Sequence, residues 1–335
     1  MPETEPLVIV SMKKMHSLVL AVCIVALVTG CGKPQSGASE SRTQRKVRLA
    51  FVCNNASDYW SLVRQGCDFA ARDLGEVDLD FRKPVAGTVA AQQEIITNLL
   101  ASGVDGIAIS PIDADRQADF LNSAATNTLL VCADSDAERS KRVCYIGTDN
   151  VAAGRLAADL LKTALPQGGK VVLFVGYLNA QNAKDRIQGL KDGLNGSNIQ
   201  IIDTLVDESQ SALAEKNALG ALAKYPDLAG MVGLWSYDGP AIVKAVRSAG
   251  KNGQVKIICF DEDSDTLAGV VAGDVYGTIV QRPCMIGFVT TTRMAKYLRG
   301  DQTQLAGGKV FLPAMVITKR NIADFQEGIR KRLGK

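Results

Sequence analysis

Short apolar runs alternate along the chain with longer amphipathic segments, beginning at Val47. The runs predict strands, and the segments, in which apolar residues recur every three or four positions, predict helices. In the first half of the chain the predicted strands are 47–53, 77–82, 105–110, 129–133 and 142–146. The helices predicted between them are 60–74, 89–102 and 114–127. Near-continuous apolar strands separated by helices indicate a parallel sheet with helices on both faces.

The same alternation begins again at Val151. The strands predicted in this part are 170–175, 201–206, 230–235 and 255–260. The helices predicted in this part are 152–164, 183–194, 211–225 and 239–249. Because parallel strands are joined by right-handed crossovers, each half is predicted to form a doubly wound α/β layer. Two lobes, each with its own sheet, account for 335 residues better than one very large sheet.

Residues 12–31 have the layout of a secretory signal, in which a pair of lysines precedes a short apolar run. The run is too short for a comfortable membrane span. Residues 28–31, Val-Thr-Gly-Cys, resemble a bacterial lipobox, in which the cysteine is lipidated and becomes the new N-terminus. We therefore expect residues 1–31 to be a signal peptide with a lipobox and Cys31 to carry a lipid anchor. A plain signal peptide and an uncleaved anchor are the alternatives.

A polar segment rich in serine and glycine, residues 32–46, follows the predicted signal. It lacks an apolar period and is expected to be a flexible tether. Glu3 and Glu5 are unusual ahead of a signal, so translation is expected to start at Met12 or Met15. The protein is therefore expected outside the cytoplasm, held at the membrane by its N-terminal lipid.

Six cysteines follow Cys31. Export permits disulfides, but a domain of this size does not need them, so buried thiols are expected in the apolar runs. If a disulfide forms, Cys132 and Cys144 are the favoured pair. The spacings include no Cys-x-x-Cys, so they indicate neither a zinc site nor a redox motif.

Composition and charge disfavour several classes of protein. The net charge is +3 and the sequence has no concentrated basic stripe, which argues against nucleic-acid binding. His16, the only histidine, lies in the predicted signal, which disfavours histidine-dependent hydrolases and histidine-ligated metals. The chain contains neither G-x-G-x-x-G nor a P-loop. We therefore expect a protein without catalytic residues, metal or cofactor.

Polar and aromatic residues follow several predicted strands, namely Asn54, Ser110, Asp134, Trp235 and Asp261. In open α/β sheets, ligands bind outside the carboxyl ends of the strands. Two lobes that present these ends to each other would enclose a cleft at their interface. The sequence therefore predicts a ligand cleft between the lobes.

Four stretches, in this order, resemble the periplasmic sugar-binding proteins of the ribose-binding type, which share their fold with LacI-type repressors. The stretches are 49–60 (LAFVCNNASDYW), 106–113 (GIAISPID), 130–150, which ends in Asp149-Asn150, and 257–287. The resemblance covers essentially all of residues 47 to about 320, and these four stretches carry it. It implies three crossings between the lobes. It assigns 47–149 plus 282–309 to the first lobe, with a helix at 285–298, and 150–281 plus 310–335 to the second, with a helix at 322–333.

A sugar offers several hydroxyl groups and an apolar ring face, and burying one unpaired hydroxyl costs about 1–3 kcal/mol. A sugar site therefore needs planar polar side chains that donate and accept, together with aromatic rings. The expected ligand-binding residues are Asn54, Tyr59, Trp60, Asp134, Asn182, Arg186, Trp235, Asp261 and Gln281.

Tyr59 and Trp60 match the aromatic pair of the family and would pack against a ring face of the sugar. The alternative for an aromatic residue at a helix start is a hydrophobic staple. Trp235, at the end of a predicted strand, would close the other face. Asp134 and Asp261 match two aspartates of the family, each able to accept from two hydroxyls, although helix capping is the common role of such residues.

Gln281 matches a glutamine of the family at a crossing, and Asn54 matches a small polar residue. Asn182 and Arg186 are four residues apart and share a helix face, and an arginine could bind hydroxyls in a bidentate way. The ligand-binding basic residue of the family aligns with either Lys184 or Arg186.

The chain departs from the ribose type at Ser110, at Ser135 and at residues 235–238, so ribose is not the expected sugar. We expect an exported binding protein that captures a small polar ligand, a monosaccharide, by lobe closure and delivers it to the permease of an ABC transporter. A ligand sensor that docks on a membrane receptor kinase and a carbohydrate-active enzyme are the alternatives. The acidic loop 261–265 could also supply calcium ligands, but it lacks the glycine and terminal glutamate of an EF-hand loop.

Overall fold

The computed structural model describes residues 46–332, which form two six-stranded sheets with helices between the strands. The predicted signal peptide and the predicted lipidation site, Cys31, lie outside the described residues, as does nearly all of the predicted tether. None of the helices in the described part of the chain is long and apolar enough to cross a membrane.

Residues 46–332 contain twelve strands and ten α-helices. The strands are β1 (Val47–Val52), β2 (Val77–Arg82), β3 (Gly106–Ile109), β4 (Leu129–Ala133), β5 (Cys144–Thr148), β6 (Gly169–Val175), β7 (Ile199–Val206), β8 (Leu228–Gly233), β9 (Lys256–Phe260), β10 (Val275–Val280), β11 (Lys309–Leu312) and β12 (Met315–Thr318). The helices are α1 (Tyr59–Leu74), α2 (Val89–Ala101), α3 (Ala114–Ala124), α4 (Asn150–Ala164), α5 (Gln181–Leu194), α6 (Ser211–Lys224), α7 (Asp238–Ser248), α8 (Ser264–Ala272), α9 (Pro283–Leu298) and α10 (Ile322–Arg332).

The two sheets share one topology. The first has the order β11-β5-β4-β3-β1-β2, with every pair of neighbours parallel. The second has the order β12-β10-β9-β8-β6-β7 and is parallel except for its edge pair, β10 with β12. The strand order reverses beside β1 in the first sheet and beside β6 in the second. The expectation of two doubly wound parallel lobes is therefore confirmed. In such folds, ligands bind at the point where the strand order reverses.

The chain passes between the lobes three times, after β5, after β10 and between β11 and β12. The lobe boundary predicted between residues 309 and 310 is wrong, because β11 continues to Leu312 and its Lys309 pairs with Tyr145 of β5 in the first sheet. The third crossing therefore lies at residues 313–314. The boundary implied by the family resemblance fell inside β11, whose apolar run is only the three residues 310–312 and whose residues alternate between exposed and half-buried.

The sequence pattern also missed α8 and misplaced the end of β8. Helix α8 is short and rich in valine, but it has clear end signals, because Asp263 accepts from the N–H of Asp265 and Gly273 adopts a left-handed φ of 92°. The strand expected at 230–235 ends at Gly233. Its apolar run continues through Leu234 and Trp235 because both are buried beyond the end of the strand.

Helices α4 and α5 approach each other backbone to backbone. A Cβ at Gly154 would lie 2.2 Å from the carbonyl oxygen of Arg186, and a Cβ at Gly189 would lie 2.0 Å from that of Val151. Only glycine permits this approach. It fixes Arg186 of α5 against Asn150 at the start of α4.

Cys132 and Cys144 are buried thiols and are not joined in a disulfide. Cys53 and Cys259 are buried in the apolar strands or directly after them, as the sequence pattern indicated. Burial raises the pKa of the Cys132 and Cys259 thiols, so both behave as small hydrophobic side chains.

Candidate ligand-binding site

A cavity lies between the lobes at the carboxyl ends of the parallel strands. All nine residues expected from the sequence line it, namely Asn54, Tyr59, Trp60, Asp134, Asn182, Arg186, Trp235, Asp261 and Gln281. Its free volume is about 20 Å³, close to what one water molecule needs. The lobes are therefore nearly closed on each other, and a sugar could enter only if they moved apart.

Asp134 and Asp261 occupy equivalent places in the two lobes. Each directly follows a strand and has a positive φ, 68° at Asp134 and 70° at Asp261. The N–H of Asp134 donates to the oxygen of Ile146 at 3.1 Å, and that of Asp261 donates to the oxygen of Ile279 at 2.8 Å. Aspartate adopts the left-handed conformation more readily than most residues. The same turn thus ends β4 and β9 and brings one carboxyl group from each lobe to the cavity.

Three donors surround the Asp134 carboxylate. The hydroxyl of Tyr59 donates to Oδ1 at 2.9 Å, and the hydroxyl of Ser110 donates to Oδ2 at 2.9 Å. Asn182 Nδ2, from the second lobe, donates to the same Oδ2 at 3.2 Å. Burial raises the pKa of Asp134, while the positive charge of Arg186 and these donors oppose the rise. Asp134 therefore joins the two lobes directly.

Trp60 is buried against the first sheet, with 1% of its surface exposed. Its Nε1 donates to Asn54 Oδ1 at 3.2 Å and to Asn55 Oδ1 at 3.1 Å, so its N–H is already paired within the first lobe. Tyr59 packs edge-on against it, with ring centroids 5.1 Å apart. These contacts fix both aromatic rings before any ligand binds.

Arg186 is the fully buried cation of the cavity, with 1% of its surface exposed. Its Nε donates to Asn150 Oδ1 at 2.9 Å, its Nη1 donates to the carbonyl oxygen of Leu234, and its guanidinium lies 4.4 Å from the ring centroid of Phe260. Lys184, the alternative in the sequence, is partly exposed and pairs with Asp115 at 3.0 Å. The structure thus places Arg186, not Lys184, in the cavity.

Gln281 reaches Asp261 from the loop after β10. Its Nε2 donates to Asp261 Oδ1 at 2.7 Å. Burial raises the pKa of the Asp261 carboxyl to about 7, although the positive charge of Arg186 opposes the rise. Asp261 is the only member of the acidic loop that lines the cavity. Asp263 instead caps α8, and among residues 46–332 no group of three acidic, cysteine or histidine side chains could hold a metal ion.

Trp235 is held in a cage formed by the second lobe. Its ring lies against Gly176, where a Cβ would be 2.3 Å from the indole, and it packs against Tyr177 and Tyr237 at centroid distances of 5.9 and 6.3 Å. Its backbone N–H donates to Asp238 Oδ2 at 2.9 Å. The orientation of the indole is therefore set by the protein.

Four buried polar atoms of the cavity residues have no hydrogen-bond partner in the part of the chain that the structure describes. The donors are Arg186 Nη2 and Trp235 Nε1, and the acceptors are Asn182 Oδ1 and Gln281 Oε1. Leaving a buried polar group unpaired costs about 1–3 kcal/mol. A ligand that both donates and accepts hydrogen bonds would remove this cost.

Four lining residues were not expected from the sequence as ligand contacts: Asn55, Ser57, Ser236 and Tyr237. Asn55 directly follows Asn54, and Ser236 and Tyr237 directly follow Trp235. Their position beside a predicted ligand-binding residue is the sequence signal that could have identified them. Ser57 carried no signal, because a serine in a loop is common.

Comparison with known proteins agrees with this architecture. Residues 49–302 match the family model described as periplasmic binding protein domain. The D-ribose/D-allose-binding protein of Pseudomonas aeruginosa is 26% identical over 263 residues, which cover 75% of this chain and 81% of that protein.

Two solved structures are similar over most of the chain. A solute-binding protein of an ABC transporter from Burkholderia graminis, in complex with D-arabinose, is 28% identical with a TM-score of 0.78, covering 83% of this chain and 97% of that chain. A chain in the XylFII-LytSN complex is 26% identical with a TM-score of 0.76, covering 82% of this chain and 98% of that chain. With its two doubly wound lobes and the cavity between them, this chain belongs to the periplasmic binding protein family.

Proposed function

We propose that the protein binds a neutral monosaccharide between its two lobes and delivers it to the permease of an ABC transporter. The observation that carries the proposal is the set of four unpaired polar atoms around one cavity, two donors and two acceptors. A sugar hydroxyl both donates and accepts, so a polyol fits this set better than an apolar ligand. The relatives named for ribose and allose and the structure bound to D-arabinose support the same ligand class.

The charges of the cavity favour a neutral ligand. Asp134 and Asp261 contribute two carboxyl groups, whereas Arg186 contributes one positive charge. An anionic ligand would find only one positive charge in this poorly solvated site, beside two carboxyl groups whose pKa values are already raised by burial. Trp60 and Trp235 supply aromatic surface for the apolar face of a sugar ring.

Lobe closure is the proposed mechanism of capture. Asn182 from the second lobe already donates to Asp134 of the first, and Asn179 Nδ2 donates to Asp113 Oδ2 at 3.0 Å. A ligand that contacts both lobes adds to these contacts and shifts the protein towards the closed state, which the permease would recognise.

We propose a binding protein and not an enzyme. A carbohydrate-active enzyme would use Asp134 and Asp261 as its two carboxyl groups. Asp134 is already occupied by three donors, which leaves it poorly placed for proton transfer. Incubation with aryl glycosides and product analysis separates the two functions, since any sustained hydrolysis would favour the enzyme.

A sensory role is the second candidate. The XylFII-LytSN complex contains a chain similar to this one together with a second protein, which supports docking on a membrane receptor such as a sensor kinase. Both roles use the same ligand-loaded closed state. Co-purification of the loaded protein with a permease or with a receptor distinguishes them.

We also propose that Cys31 is lipidated and holds the protein at the membrane outside the cytoplasm. The lipobox-like residues 28–31 support this, and the polar tether would give the lobes reach. Replacement Cys31→Ser should release the protein from the membrane fraction. Persistent membrane association of that variant would contradict the anchor.

The experiment that tests the ligand class is a thermal-shift panel on the purified protein with pentoses, hexoses, sugar alcohols and sugar acids. A ligand present at about 100 times its Kd stabilises the folded state by roughly 2.7 kcal/mol. For a protein of this size that raises the Tm by several degrees. We expect a shift with at least one neutral sugar and none with its acid. No shift with any neutral sugar would overturn the proposal.

A further inference from the structure

A much larger groove lies beside the cavity and shares lining residues with it. This outer groove is lined by α6, α7 and the start of α8 of the second lobe and by residues 56–58 of the first lobe, with about 1010 Å³ of free volume. Ser57, Ser236 and Tyr237 line both the cavity and the outer groove. The two spaces therefore adjoin at the interface of the two lobes.

The interface between the lobes is bridged on the opposite side. There, Asn179 donates to Asp113, and Lys184 lies 3.0 Å from Asp115. On the groove side, within residues 46–332, no hydrogen bond or ion pair joins residues 55–58 to residues 235–240 or 263–265. The polar contacts that bridge the closed lobes at the rim of the cavity therefore lie along one edge.

Acidic side chains of both lobes line the outer groove. Burial raises the pKa of Asp263, and the charges of Asp265 and, to a lesser degree, of Asp58 from the first lobe add to the rise. The basic residues of the groove are neutralised, because Lys244 pairs with Glu215 at 2.7 Å and Arg247 pairs with Asp274. Neither basic residue that lines the groove is thus left unpaired to bind an anion.

The surface of the outer groove is rich in hydroxyl groups. Ser57, Ser211, Ser236 and Ser264 line it. Hydroxyls donate and accept hydrogen bonds without adding charge. This surface suits a neutral hydroxylated ligand, as the cavity does.

We propose that the outer groove is a second subsite, which binds a neutral sugar unit linked to the one held in the cavity. The preferred ligand is then a disaccharide or glycoside whose linkage passes between Ser57 and Ser236. This inference rests on the proposed function and extends it, since the cavity must hold a sugar unit first. The lack of hydrogen bonds between residues 55–58 and 235–240 on this side favours a ligand that extends outwards, once the lobes have moved apart to admit its first unit.

Calorimetric titration tests the second subsite. The ligands are the neutral monosaccharide that gives the largest thermal shift, its methyl glycoside, and disaccharides that carry this sugar at the non-reducing end. We expect at least one disaccharide to bind about tenfold more tightly than the monosaccharide. Ala212→Tyr and Ala268→Tyr place a bulky side chain in the groove at exposed helix positions and should abolish this gain while leaving monosaccharide affinity unchanged.

Ala101→Tyr is the matched control, at an exposed position of α2 away from the groove, and should change neither affinity. Binding of the monosaccharide with rejection of every disaccharide, or with no gain from the second unit, would overturn the second subsite and leave the proposed function standing. Failure of every sugar to bind would overturn the proposed function, and the second subsite with it.

Discussion

Gln281 donates its Nε2–H to Asp261 Oδ1 at 2.7 Å, which leaves its own Oε1 without a partner in the cavity between the lobes. The hydrogen bond fixes which end of the amide a ligand would meet. The loop after β10 therefore presents an acceptor, and the hydrogen bond from Gln281 stabilises the ionised form of the Asp261 carboxyl beside it. The same loop is one of the crossings between the lobes, so Gln281 belongs both to the cavity and to a crossing.

Replacement Gln281→Leu should weaken sugar binding by about 10- to 100-fold, because the ligand loses an acceptor and Asp261 loses its donor. Calorimetric titration measures the change. Gln254→Leu, at an exposed position outside the cavity, is the control and should bind normally. Equal affinity of the Gln281 variant and the wild type would exclude Gln281 from the site.

Asp261 should make the stability of the protein depend on pH. Burial raises the pKa of its carboxyl from 3.8 to about 7. The folded state therefore binds a proton more tightly than the unfolded state, and the stability that this proton provides is lost as the pH rises from about 4 to about 7. A rise of this size corresponds to about 4 kcal/mol.

Replacement Asp261→Asn removes this titration. We expect the free energy of unfolding of the variant to exceed that of the wild type increasingly as the pH rises from 4 to 7 and by a constant amount above that range. Urea unfolding at several pH values, without sugar, measures the difference. A difference between the two proteins that does not change with pH would show that Asp261 titrates normally.

The hydrogen bonds at the bridged edge should control how long the ligand stays bound. The double replacement of Asn179 and Lys184 by alanine removes their contacts with Asp113 and Asp115 and should raise the Kd by about fivefold, mainly through faster dissociation. Stopped-flow dissociation measures this rate. Lys191→Ala, an exposed change on the same helix, should leave the rate unaltered. Unchanged dissociation in the double variant would mean that these contacts do not stabilise the closed state.

The close approach of α4 and α5 predicts a large effect of a small change. Gly154→Ala places a methyl group 2.2 Å from the carbonyl oxygen of Arg186 and should lower the free energy of unfolding by about 1–3 kcal/mol. Gly220→Ala in α6 meets nothing within 4 Å and should instead stabilise the protein by about 0.5–1 kcal/mol. Thermal unfolding of both variants measures the contrast, which would be absent if α4 and α5 could separate freely.

Much of the fold was predictable because its signals are local. The buried parallel strands are continuous apolar runs, and the polar residues that follow them, such as Asp134 and Asp261, mark the edge where the cavity lies. The resemblance to a known family then brought Gln281 and Arg186 into the same site. These nine residues remain a prediction as ligand contacts, although the structure gathers all of them around one cavity.

What the sequence could not supply depends on contacts between distant segments. Strand β11 is four residues long and is defined by its pairing with β5, so the crossing after Leu312 was misplaced. Ser57 lines the cavity, but a serine in a loop carries no sequence signal of that position. Lys184 pairs with Asp115, which is far from it in the chain, whereas Arg186 lines the cavity. The sequence alone could not show this difference between the two basic residues.

Intrinsic fluorescence tests the central claim most directly, because the chain has two tryptophans, Trp60 and Trp235, and both line the cavity. A neutral sugar should produce a saturable change in tryptophan emission in the wild type and in both single variants, Trp60→Phe and Trp235→Phe. In Gln281→Leu the change should require at least tenfold more sugar. A sugar that raises the Tm without altering the emission of either tryptophan would place its site elsewhere and contradict the account.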